Sequence, residues 1–91
     1  MSIFVVIATN SPDAVLDRVK SVYPDDHYII NDTVALVSSD GTSIDVSKNI
    51  GIVAEAGSKP VGSAIVVSIA SYYGRASMDT WDWIKRKWES P

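Results

Sequence analysis

Two segments of this chain are apolar without the alternation that a half-exposed β-strand shows. Residues 3–8 read Ile-Phe-Val-Val-Ile-Ala, and residues 64–70 read Ala-Ile-Val-Val-Ser-Ile-Ala. A strand with one solvated face alternates apolar and polar residues, so these segments predict strands that are buried on both faces. The fold must therefore supply a cover for each face of the sheet.

The composition fits one small domain and excludes several kinds of site. A chain of 91 residues that is 46% hydrophobic can bury a single core and is too apolar to be disordered. It has no cysteine and one histidine, His27, which excludes a disulfide framework, thiolate chemistry and a multi-histidine metal site within one chain. We expect neither a metal nor a cofactor.

The net charge of −3 bears on the partners and the location of the protein. An acidic protein repels phosphate backbones and anionic lipid, so we expect neither nucleic acid nor a membrane as a partner. No run reaches the ~18 apolar residues of a membrane span. The apolar N-terminal run is too short for the core of a signal peptide and follows no basic residue. These features predict a cytoplasmic protein.

The first helix has clear start and stop signals. Residues 10–13 read Asn-Ser-Pro-Asp, which predicts a helix with Pro12 in its first turn and Ser11 as its side-chain cap. Pro24 ends this helix.

Turn and capping residues predict the middle of the chain. Asn31 and Asp32 form a turn that joins two strands into a hairpin. Thr42 and Asp45 have the spacing of a capping box, which begins a short second helix. Gly51 ends that helix in a left-handed conformation, as in a Schellman motif.

The predicted order of elements is β-α-β-β-α-β followed by a third helix. This order indicates an α+β, ferredoxin-like split βαβ sandwich with an additional C-terminal helix. The first and third strands are then central, and two helices cover one sheet face. We expect residues 1–91 to form a single compact domain, on which the Trp-rich helix, residues 76–90, packs. The third helix and a second subunit would share the other face.

The last helix carries every tryptophan of the chain. Its apolar stripe predicts the side chains that face the sheet, which are Met78, Trp81, Ile84 and Trp88. Trp83 lies about 200° from Trp81, which predicts that it is exposed on the charged side of the helix. Because tryptophan is a favoured interface anchor, we predict that Trp83 binds a partner, with cation–π packing along the helix as the alternative.

The turn before this helix is the second candidate for a binding site. Tyr72, Tyr73 and Arg75 bring two phenol hydroxyls and a guanidinium next to Gly74, which permits a sharp turn. Such groups bind a carboxylate, a phosphate or a partner surface. The alternative is structural: one tyrosine packs under the helix while Arg75 pairs with an acidic neighbour.

Two other clusters are interpreted as structural. Asp25, Asp26 and His27 resemble an acid–base or metal site, but adjacent carboxylates on a turn point in different directions, and edge-strand charges explain them. The segment from Gly57 to Ser63 lacks the Gly-Lys-Ser/Thr ending of a phosphate loop, and a strand follows it, so we interpret it as a surface loop.

These observations favour a non-enzymatic module that binds another protein and self-associates as a homodimer. The last strand is an edge in the predicted order, yet residues 64–70 carry no charge and no proline, and an unprotected edge pairs readily with a second chain. The sequence leaves open whether the dimer uses this edge or the open sheet face. The alternative function is a small-molecule or anion sensor that uses the turn from Tyr72 to Arg75. The hypothesis of an enzyme is the least favoured, because few ionisable residues are expected to come together at one site.

Overall fold

A computed structural model describes residues 2–53, 59–71, 74–76 and 78–89. Within these ranges the protein is α+β, with three helices and a four-stranded antiparallel sheet. In chain order the elements are β1 (Ser2–Asn10), α1 (Pro12–Val22), β2 (His27–Ile29), β3 (Val34–Ser39), α2 (Ser43–Asn49), β4 (Ser63–Ser68) and α3 (Met78–Trp88).

The strand order is β2-β3-β1-β4, and each neighbouring pair is antiparallel. The prediction that the first and third strands are central, with the second and last at the edges, is confirmed. Val5 of β1 lies opposite Leu36 of β3 on one side and opposite Val67 of β4 on the other. This register fixes which side chains share a sheet face.

The first sheet face is covered by α1 and α2, as the sequence predicts. Even-numbered residues of β1 and odd-numbered residues of β3 point into this layer, where helix residues at helical spacing meet them. The buried cluster consists of Phe4, Val6, Ala8, Val15, Leu16, Val19, Ala35, Val37, Val46 and Ile50.

The second sheet face is covered by α3. Trp83 and Ile84 of this helix form a second buried cluster with Ile3 of β1 and Leu36 of β3. The Trp83 ring also lies against the Tyr28 ring, with centroids 6.0 Å apart and planes tilted by 42°. The central strands are therefore buried on the first face and in part on the second. For residues 64–70 the prediction of burial on both faces is wrong, because β4 lies at the sheet edge, where the second buried cluster leaves Ile65 and Val67 exposed.

The predicted orientation of α3 is wrong. Trp83 was expected on the exposed side but is only 5% exposed, whereas Met78 is 74% exposed and Trp88 is 38% exposed. Of the predicted stripe, Ile84 alone is fully buried, and Trp81 packs partly against the second cluster.

The buried side of α3 includes two polar residues, which explains the error. Thr80, Trp83, Ile84 and Lys87 follow the i, i+3, i+4, i+7 spacing of one helix face. The Thr80 hydroxyl donates a hydrogen bond to the Tyr28 hydroxyl at 3.2 Å. Lys87 lays its aliphatic stem on the protein, while its ammonium group reaches an acidic partner. A prediction that uses only the apolar residues therefore places the wrong side of α3 against the sheet.

The junction between β1 and α1 differs from the prediction in its cap. Ser11 is the residue before the helix, but its backbone is left-handed, with φ 50° and ψ 54°, and its side chain makes no capping hydrogen bond. Its hydroxyl instead donates to Asn10 Oδ1 at 2.9 Å. A capping serine needs an extended backbone, and the sharp turn out of β1 does not provide one.

The predicted hairpin is confirmed. Asn31 Oδ1 accepts hydrogen bonds from the backbone N–H groups of Thr33 and Val34, both at 2.9 Å, and this local turn brings β2 back against β3.

The capping box of α2 is also confirmed. The Thr42 backbone N–H donates to Asp45 Oδ2 at 2.9 Å, and the Asp45 N–H donates to Thr42 Oγ1 at 3.2 Å. The bond from the Thr42 backbone lowers the pKa of Asp45 below its ordinary value of 3.8. Because its pKa is lowered on folding, the ionised Asp45 carboxylate stabilises the fold at pH values above the ordinary pKa. This stabilisation is lost as the pH falls through the pKa of the folded state.

The second helix ends in the predicted Schellman motif. Gly51 has φ 80°, and its N–H donates to the Lys48 carbonyl at 3.1 Å. The Ile52 N–H donates to the Ser47 carbonyl at 3.2 Å, which completes the pair of bonds.

The burial of α3 makes a prediction about its tryptophans. Trp83→Ala removes a fully buried indole and should cost about 3–5 kcal/mol in the free energy of unfolding. Trp88→Ala, on the partly exposed side, should cost about 1 kcal/mol or less. Urea denaturation of the two variants measures the difference. Equal costs, or a larger cost for Trp88→Ala, would contradict the burial of Trp83 beneath α3.

Candidate functional site

The second sheet face is only partly covered, and the uncovered part is apolar. Ile7 is 37% exposed, Ile65 is 54% exposed and Val67 is 43% exposed. Ile7 of β1 lies directly opposite Ile65 of β4, and Val67 is two residues further along the same strand. We call these three side chains the open face. Contiguous exposed apolar residues of this kind are typical of binding surfaces.

The outer strand beside the open face is an unprotected edge. β4 ends the strand order, and its six residues, Ser63–Ser68, include no charge and no proline. The opposite edge differs: β2 has only three residues, and Asp25, Asp26 and Asp32 flank it. Short length and charge are the usual means by which edges avoid pairing. Among the residues that the structure describes, the β2 edge thus carries this protection and the β4 edge does not.

Polar contacts join α3 to β2 and to the two residues before it. Lys87 Nζ lies 2.7 Å from Asp26 Oδ1 and donates to the Asp25 carbonyl oxygen at 3.2 Å. The hydrogen bond from Thr80 to Tyr28 attaches an earlier turn of the helix to the same strand. The buried cluster under α3 does not include Ile7, Ile65 or Val67, so these side chains stay exposed.

The predicted site residues do not converge on this surface. Arg75 is exposed in the short described segment 74–76, beside Gly74 with φ 153°. Tyr72 and Tyr73 lie outside the described residues, so ligand binding by this turn stays a prediction. Trp83 is buried against Tyr28, so the prediction that it is exposed is wrong. Its predicted role in binding a partner rested on that exposure.

The cluster at the start of β2 has structural contacts. His27 is half-buried, and its Nδ1 donates to the Tyr23 carbonyl oxygen at 2.5 Å. The Asp26 carboxylate pairs with Lys87. In the part of the chain that the structure describes, no three acidic or histidine side chains are grouped as a metal ion would require. These contacts support the interpretation of the cluster as edge-strand charges.

Gly62 shows why glycine precedes β4. A Cβ atom at this position would lie 2.7 Å from the Asn10 carbonyl oxygen and 3.0 Å from side-chain atoms of Ser11 and Val15. The glycine thus allows β4 to begin tightly against the junction of β1 and α1. Gly57 and Ser58 lie outside the described residues, so the interpretation of the whole segment as a surface loop stays a prediction.

Comparison with known proteins adds no relative. No protein-family model, curated protein or solved structure matches the chain. Across the described ranges, the helices are too short and too polar to cross a bilayer.

The open face was only partly recognisable in the sequence. Its signal is the run of apolar residues at odd positions in two strands that also carry apolar residues at even positions. That signal indicates a second apolar face but not how much of it α3 covers. The missing information is the set of polar contacts that bind α3 to β2.

The attachment of α3 can be tested by a double-mutant cycle between Lys87 and Asp26. The pair is partly exposed, with relative side-chain exposures of 18% and 37%, so its coupling energy should be about 0.5–1 kcal/mol and should fall in high salt. Chemical denaturation of Lys87→Met, Asp26→Asn and the double variant measures it. Arg86→Met, on the exposed side of α3, is the matched control. A zero coupling energy would remove this contact as an anchor of α3.

Proposed function

We propose that this chain is a small, non-enzymatic, cytoplasmic protein-binding module that binds another protein and self-associates as a homodimer. The single observation that carries the proposal is the apolar open face beside an uncharged edge strand. Exposed apolar surface costs solubility unless a partner covers it, and an edge without charge or proline lacks the usual protection against pairing.

We also propose that the architecture is the ferredoxin-like split βαβ sandwich with α3 added. The strand order β2-β3-β1-β4 supports it, as do α1 and α2 on a common sheet face. Each of these helices connects two strands that have another strand between them. Such an arrangement leaves one sheet face without a helix of its own, and α3 covers part of that face.

A non-enzymatic role is supported by the structural contacts that several ionisable side chains make. Asp26 pairs with Lys87, His27 binds a backbone carbonyl, and the lowered pKa of Asp45 has its cause in helix capping. Each of these three groups thus has a structural role, which favours a non-enzymatic function. The cytoplasmic location is supported by a chain that contains no cysteine and needs no oxidising compartment to fold.

Self-association can be measured without knowledge of any other partner. Sedimentation equilibrium at micromolar concentration should give twice the chain mass of 9.8 kDa. Ile65→Lys places a charge on the open face and should shift the mass to that of the monomer. Ile44→Lys is the matched control, because Ile44 is an exposed isoleucine on α2, on the opposite side of the sheet. It should leave the dimer intact.

Two results would count against this proposal. The unmodified protein could be a monomer up to millimolar concentration, in which case the open face needs no second copy. Alternatively, Ile65→Lys and Ile44→Lys could weaken the dimer equally, which would mean that the contact lies elsewhere.

A further inference from the structure

The backbone groups on the outer side of β4 belong to a defined set of residues. In an antiparallel sheet, successive residues direct their N–H and C=O groups to opposite neighbours. The Ile69 N–H donates to the Ile3 carbonyl oxygen at 2.9 Å, so the odd-numbered residues at this end of the strand bond to β1. The even-numbered residues therefore direct their backbone groups outward. They are Ala64, Val66 and Ser68.

This set is complementary to itself when β4 pairs with a second copy. A two-fold axis normal to the sheet keeps each side chain on its own face, so residues of equal parity must lie opposite one another. Centred on Val66, the pairing sets Ala64 opposite Ser68 and Val66 opposite its own copy. Three pairs with two hydrogen bonds each give six bonds. Centred on Ile65 or Val67, the outward residues form only two such pairs.

The charges and side chains of β4 also favour pairing with a second copy of the chain. A two-fold axis brings each residue close to its own copy, so any charge on the edge would meet a like charge. β4 carries none, whereas the acidic residues around β2 would repel a second β2 edge. In the register centred on Val66, Ile65 lies opposite Val67 of the second copy on the open face. The two open faces then become continuous.

We infer that two copies of this chain pair through their β4 edges, antiparallel and centred on Val66, and that this joins their sheets into one. The inference rests on the proposed self-association and specifies its partner and its register. The partner is a second copy of the chain, because the outward hydrogen-bonding groups, the uncharged edge and the apolar side chains all match their own two-fold image.

Single-cysteine variants test the register, because the natural chain has no cysteine. Val66→Cys sets two thiols opposite each other, where paired Cα atoms are about 5.5 Å apart and a disulfide can form. In Ile65→Cys and Val67→Cys the equivalent thiols lie diagonally, about 7–8 Å apart. Under mild oxidation, followed by non-reducing electrophoresis, Val66→Cys should crosslink at least ~10-fold faster than the other two. Ile44→Cys gives the rate of random collision.

A second pair of variants tests the edge without a thiol. Ser68→Pro removes an N–H that points outward. It leaves the bonds between β4 and β1 intact, because those bonds come from the odd-numbered residues. It should weaken the dimer at least ~10-fold in sedimentation, since two of the six intermolecular bonds are lost. Ser68→Ala loses the same hydroxyl but keeps the N–H, and it should leave the dimer unchanged.

The outcomes separate this inference from the proposed function. Fast crosslinking of Val66→Cys together with a weakened Ser68→Pro dimer supports edge pairing. A dimer that crosslinks fastest through Ile65→Cys or Val67→Cys, or that tolerates Ser68→Pro, overturns the register while self-association stands. A monomer under all conditions overturns both.

Discussion

The structure depends on one constraint: its central strands are apolar on both faces, so each face needs a cover. The first face receives α1 and α2, and the second receives α3 through Trp83 and Ile84. Where α3 lies then decides what remains exposed. Polar contacts join it to Tyr28 of β2 and to Asp26, the residue before β2, and its cluster does not reach Ile65 or Val67. The open face is the consequence of this placement.

The two edges of the sheet have opposite properties, and this asymmetry links the fold to the proposed function. At β2, acidic residues surround a short strand, and one of them, Asp26, also binds α3. At β4, a longer strand carries only small and apolar residues. The helix α3 buries part of the central strands. The uncharged β4 edge and the open face beside it stay exposed on the same side of the molecule. Edge pairing by a second copy would extend the sheet and bring two open faces together.

Sequence patterns predicted local structure better than they predicted the position of α3. The Thr42 capping box and the Gly51 stop were predictable because their hydrogen bonds lie within a few residues of each other. The central positions of β1 and β3 were predictable from the order of the elements along the chain, whereas apolar sequence alone does not distinguish central β1 from the edge strand β4. The orientation of α3 was not predictable from apolar spacing, because Lys87 lies on its buried side and is stabilised there by a carboxylate 61 positions away in the chain. Ser11 failed as a side-chain cap for a related reason: the turn that precedes α1 sets its backbone, not its own preference.

Amide hydrogen exchange of β4, resolved by residue and recorded in dilute and concentrated protein, distinguishes a paired β4 edge from a free one. The N–H groups of Ile65 and Val67 bond to β1, so they should be protected at both concentrations. Those of Val66 and Ser68 point outward and should exchange rapidly in dilute solution but slowly in concentrated solution, where a second copy binds the edge. Outward amides that exchange equally fast at both concentrations would contradict edge pairing. If the outward amides of Val66 and Ser68 were as protected in dilute solution as those of Ile65 and Val67, the β4 edge would not be exposed in the monomer.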